Sequence, residues 1–90
     1  MKKYELYTEH KNLPIIEQLV AKRFTAFTIQ QTTGYWNGIR EPSLIITIVS
    51  EDVNAVQDTA EDIRAFNAQE SVLIVSTPVS VELLENWVPS

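Results

Sequence analysis

The spacing of apolar positions along the chain switches between two residues and about 3.6, and each switch marks an element. In "KYELYT" (residues 3–8) Tyr4 and Leu6 alternate with other side chains, which predicts a strand with those two facing inward. The polar break "EHKN" follows. Pro14 then falls in a first helical turn, where the N–H it lacks would have had no partner. Leu13, Ile16, Val20 and Phe24 keep helical spacing with Leu19 beside them, so a helix is predicted over about 13–23. Lys22 and Arg23 close it, where cations complement the helix dipole.

From Thr25 the period returns to two, and Phe27 and Ile29 alternate with Thr28 and Gln30 on a strand running toward Trp36. Asn37-Gly38 signals a type I′ hairpin, which needs positive φ at both central residues. The run Ser43 to Val49, "SLIITIV", is apolar on both parities and predicts a central strand. Glu51 and Asp52 introduce a second helix with the stripe Val53, Val56, Ala60, Ile63 and Phe66. Asp58, Glu61 and Asp62 give that helix an acidic outer face, read as solvated surface. After Gln69-Glu70 comes a last strand, "SVLIVSTPV", in which Pro78 indicates an edge position or bulge. The tail 82–90, "ELLENWVPS", reads as a short helix or an extended arm. No repeat or linker interrupts the chain, so residues 1–90 read as a single domain.

The order β-α-β-β-α-β is the split pattern of the ferredoxin-like fold. The expected architecture is α+β, an antiparallel-type sheet of strand order 4-1-3-2 with both helices on one face. The hairpin turn sets a register in which Trp36 faces Ile39, Tyr35 faces Arg40, Ile29 faces Ile46 and Phe27 faces Ile48. Turn chemistry and hydrophobic pattern thus agree. Pro42 falls opposite Thr33 at a non-hydrogen-bonded position, so pairing with the first strand should end there. Residues 33–43 are expected to project as a β-hairpin arm. A lone two-stranded arm is marginal in water, so it should pack against something. The sheet face away from the helices would carry Ile45, Thr47, Val49, Leu73 and Val75, where a one-sided sheet is normally polar. A second copy of the chain, in a dimer or trimer, is the expected cover. The competing cover is the tail, through Leu83, Leu84 and Trp87.

Composition narrows the partners. The net charge of −5 argues against a duplex nucleic-acid binder. Most Lys and Arg lie before position 41 and most Asp and Glu after it, so part of the surface can still receive an anion. The chain has no cysteine, which removes disulfides, thiolate catalysis and cysteine metal sites, and fits a cytoplasmic location. The N-terminal lysines are not followed by an apolar run, so the start reads as mature protein rather than a signal peptide, and no apolar stretch is long enough for a membrane span.

Motifs for catalysis are missing. With only two glycines the chain has no phosphate-cradling glycine loop, and it contains no H-E-x-x-H. The single histidine, His10, sits in a polar connection and reads as a surface residue rather than a metal ligand. Ser43, Ser71 and Ser76 show no neighbouring base. A Glu41/Glu70 pair is conceivable for acid–base work, but spacing alone cannot pair distant glutamates. No catalytic residue, metal or cofactor is therefore assigned. The candidate ligand-binding residues are Tyr35, Trp36, Arg40, Glu41, Ser43, Gln69 and Glu70. Aromatic faces and guanidinium groups stack on planar ligands, and arginine pairs with phosphate or carboxylate. The competing account makes Trp36 and Ile39 a cross-strand packing pair and Arg40 an ion-pair partner of Glu41 or Glu70 across the subunit interface.

The combination of "RFTAFTI", Gly34-x-Trp36, Arg40-Glu41-Pro42-Ser43 and Gln69-Glu70-Ser71-Val72-Leu73 resembles a family of small, functionally unassigned bacterial proteins with relatives in phages. The resemblance covers about Arg23 to Val81, with a shorter loop after Trp36. It implies a ferredoxin-like oligomer and transfers no established chemistry. More loosely, "YWNGI" before an apolar strand, with a tryptophan near the end, is similar to CutA and PII-like trimers, which bind metal ions or nucleotides between subunits. The resulting expectation is a non-catalytic homo-oligomer holding a small anionic or nucleotide-like ligand at a subunit interface. In a phage, that ligand would be a host immune signalling nucleotide sequestered as an anti-defence device. The alternatives are a protein–protein interaction module that inhibits a host protein, and a small enzyme using Glu41, Glu70 and Arg40.

Overall fold

The computed structural model describes residues 1–84. Its elements are β1 (Lys2–Glu9), α1 (Leu13–Ala21), β2 (Thr28–Trp36), β3 (Ile39–Ser50), α2 (Val53–Asn67) and β4 (Leu73–Pro78). The strands pair antiparallel in the order β2-β3-β1-β4. This is the expected 4-1-3-2 sheet read from the other edge, and the fold is α+β and ferredoxin-like. No helix among the described residues is long and apolar enough to cross a membrane.

The core lies between one sheet face and both helices. Tyr4 and Leu6 of β1 and Leu44, Ile46 and Ile48 of β3 meet Ile16 and Val20 of α1 and Val56, Ala60 and Ile63 of α2. Cross-strand partners explain the coherence of this layer. Tyr4 pairs with Ile48, Leu6 with Ile46 and Thr8 with Leu44, so period-two alternation delivers each pair to the same side.

Helix ends differ from the simple pattern. α1 stops at Ala21, so Lys22 is its cap and Arg23 lies beyond it. Arg23 serves α2 instead of the α1 dipole, because its Nη1 lies 2.6 Å from Asp62 Oδ2. Asp62 is thereby drawn out of the acidic face expected to be solvated. α2 begins at Asp52, whose Oδ1 accepts from the Ala55 N–H at 3.0 Å. Its buried side runs Val56, Thr59, Ala60, Ile63 and Asn67, while Val53 and Phe66 are exposed, contrary to the stripe expected for them. Two polar side chains replace them because each finds a partner. The Thr59 hydroxyl donates to the Ala55 carbonyl, and Asn67 joins the network described below. On the outer side, the Arg64 side chain hydrogen-bonds Glu61 and holds its carboxyl below the ordinary carboxylate range.

The hairpin register is the expected one. Trp36 pairs with Ile39, Tyr35 with Arg40, Thr33 with Pro42 and Ile29 with Ile46, whereas Phe27 lies just outside the ladder. Asn37 (φ 52°) and Gly38 (φ 79°) both adopt the positive φ of the turn. Pairing of β3 with β1 ends at Ser43–Glu9, and the Pro42 carbonyl takes one last bond from the His10 N–H. β2 and β3 therefore continue together beyond the rest of the sheet.

Candidate functional site

Alternation along a strand sorts the arm residues into two groups. Trp36, Gly34, Ile39, Glu41 and Ser43 share the parity of Ile45 and face the open side of the sheet. Tyr35, Arg40, Thr33 and Pro42 have the opposite parity. Arg40 and Glu41 are neighbours in sequence with opposite strand parities.

On the open side, the Trp36 indole folds back across Gly34. A methyl group at Gly34 would collide with the Ser43 hydroxyl and approach Trp36 Nε1 to 3.2 Å. Gly34, Trp36 and Ser43 thus form one packed unit, with Ser43 buried beneath it. Beside Trp36 is a cavity of about 250 Å³ lined by Glu9, Trp36, Ile39, Glu41, Gln69 and Glu70, among others. The structure brings Glu41 and Glu70 to one hollow, as spacing could not, and adds Glu9. Carboxylates on its wall make it poorly suited to an anion.

Gln69 is a buried clamp. Its Oε1 accepts from the Thr8 hydroxyl at 2.8 Å and from Asn67 Nδ2 at 3.0 Å, and its Nε2 donates to the Ser71 carbonyl at 2.7 Å. The side-chain amide is thus occupied in joining the end of β1, the end of α2 and the approach to β4. Lys11 reinforces the joint, donating to the Asn67 carbonyl at 3.4 Å. Its Nζ also lies 2.9 Å from Glu9 Oε2, yet that oxygen accepts no well-directed hydrogen bond, so the contact is an ion pair approached off-line. Thr8, Glu9 and Asn67 escaped sequence reasoning because nothing local marks them. Thr8 and Gln69 are 61 positions apart.

On the opposite surface of the arm, Arg40 lies with Thr32, Thr33, Glu41 and Pro42 around a hollow of about 410 Å³. Arg23 is paired with Asp62 and Arg64 with Glu61, whereas Arg40 makes no ion pair among the described residues. Tyr35, its cross-strand partner, is exposed. Within one chain Arg40 pairs with neither Glu41 nor Glu70. Glu41 has the opposite strand parity yet borders the same hollow, and Glu70 lies on the Trp36 side.

The open sheet face is left uncovered by the described residues. Val49, Leu73 and Val75 are exposed, and so are Leu83 and Leu84, which therefore do not cover it. The expected contribution of Trp87 lies outside the described residues. No family model matches the chain. No curated protein is similar to it in sequence. Among solved structures, it is similar to a DUF3240 family protein from Shewanella baltica OS155 with a TM-score of 0.71. The match covers 94% of this chain and 96% of that one at 7% identity, so the likeness is one of fold.

Proposed function

We propose that the chain is a non-catalytic homo-oligomer that binds a small anionic, nucleotide-like ligand on the Tyr35–Arg40 side of its arm, at a contact between subunits. One observation carries this reading: Arg40 is exposed beside an exposed tyrosine, and among the described residues it has no acidic partner. A guanidinium free of internal pairing is available for bidentate binding of phosphate or carboxylate, and the tyrosine ring for stacking. Thr32 and Thr33 add hydroxyls at the rim. The likeness to CutA and PII-like trimers, the sequestering of a signalling nucleotide and the cytoplasmic setting belong to the same proposal. Calorimetric titration with a panel of mono-, di- and cyclic nucleotides tests it. Arg40→Ala should weaken binding at least about tenfold, the loss of a charge-assisted pair, while Glu70→Gln leaves it unchanged. Equal binding by wild type and Arg40→Ala would refute the site.

The carboxylates beside Trp36 favour a second reading, a protein–protein contact that receives a lysine or arginine from a partner. Its signature is a protein captured by wild type and lost with Trp36→Ala, with nucleotide binding intact. Turnover of a bound ligand would point instead to acid–base chemistry by Glu41 and Glu70.

A further inference from the structure

β4 outlasts its partner. It runs antiparallel to β1, with Pro78 opposite Lys2, so the chain after Pro78 has almost no β1 left to pair with. The Val79 N–H takes the Met1 carbonyl at 3.1 Å, and residues 80–84 form no ladder. Yet Val79, Val81 and Leu83 alternate with Ser80 and Glu82, the pattern of a strand with one apolar side. Val81 is 56% exposed and Leu83 78%. Beyond Val79 the segment has a strand's sequence and no ladder partner among the described residues.

At the other edge of the sheet, β2 has an unpaired side. Its nine residues, "TIQQTTGYW", contain no charge and no proline, the usual protections of an exposed edge. The two-residue turn makes Trp36–Ile39 a hydrogen-bonded pair, so the peptide groups of Ile29, Gln31 and Thr33 point outward from the sheet. Beside this edge an open, mostly apolar groove of about 540 Å³ is lined by Pro14, Glu17, Gln18 and Ala21 of α1 and by Phe27 and Ile29. A strand added to β2 would drop alternate side chains into this groove. Three apolar residues at period two suit it.

We infer that residues 79–84 of one copy add as a strand to the free edge of β2 in a second copy, placing Val79, Val81 and Leu83 in the groove beside α1. The same chain cannot supply that strand from these residues. β2 is three strands away from β4, so crossing to its far side takes about 19 Å at the usual strand spacing, nearly all of the roughly 20 Å that six extended residues span. Each copy gives one tail and receives one, so the assembly closes as a reciprocal pair or a ring. This inference rests on the homo-oligomer reading and specifies its contact.

Native mass spectrometry of wild type and of a chain ending at Pro78, with circular dichroism to confirm that both are folded, tests it. The oligomer should fall to monomer on truncation. A truncated chain that keeps the wild-type mass would overturn the tail contact and leave the oligomer reading standing; a monomeric wild type would overturn both. A synthetic peptide of residues 79–90 added to the truncated chain provides a second readout. Amide exchange at Ile29, Gln31 and Thr33 should slow at least about tenfold, with Gln30 as an internal control already bonded to β3. Unchanged exchange at saturating peptide would refute the added strand even if truncation had altered the mass.

Discussion

Replacing Gly34 by alanine sets a methyl group against the Ser43 hydroxyl and the Trp36 indole, both already packed across the strand pair. In an ordinary strand, alanine for glycine is mildly stabilising, because it reduces the freedom of the unfolded chain. Here the sign should reverse. Overpacking of a formed contact typically costs about 1–3 kcal/mol, to be read from chemical denaturation of Gly34→Ala, and adding Ser43→Gly should recover part of the loss. The Gly-x-Trp and Pro-Ser spacing therefore has a packing cause independent of any ligand. Arg40 is the contrasting case. Its guanidinium is exposed and makes no ion pair among the described residues, so its removal should affect ligand and leave folding stability nearly unchanged.

Between elements, the joint around Gln69 carries the prediction. Its amide satisfies Thr8 of β1 and Asn67 of α2 together, and both are buried. Gln69→Ala leaves the Thr8 hydroxyl without its acceptor and Asn67 Nδ2 with only a 3.5 Å contact to that hydroxyl, and an unmade buried hydrogen bond costs about 1–3 kcal/mol. Thermal unfolding should detect that loss. The size of the joint was not legible in the sequence, because its partners come from opposite ends of the chain. The contact of Arg23, beyond the end of α1, with Asp62 of α2 was hidden for the same reason. By contrast, the opposed orientations of Arg40 and Glu41 follow from the period of two alone.

For the whole molecule, the bare sheet face and the arm ask for a neighbour. Leu73 and Val75 on the open face are exposed in the single chain, and an isolated hairpin beyond Pro42 is only marginally stable. Val75→Lys should leave the monomer fold unharmed, since the side chain faces away from the core, and should lower the mass seen in sedimentation. A mass identical to wild type would mean that this face is not part of the subunit contact. Tail truncation acts at the β2 edge instead, so the two experiments separate the face from the edge.

The sequence by itself determined the element order, the turn at Asn37-Gly38, the hairpin register and the place where Pro42 ends pairing. Each of these depends on neighbours a few residues apart, or on a hydrophobic period that survives without knowledge of the rest of the chain. Tertiary structure alone decided which side chains share a surface. It gathered Glu9, Glu41 and Glu70 beside the indole, and it held the Gln69 amide between Thr8, Asn67 and Ser71. The reason is physical: proximity between residues distant in sequence is fixed by how strands and helices pack, and that arrangement is a property of the folded chain as a whole.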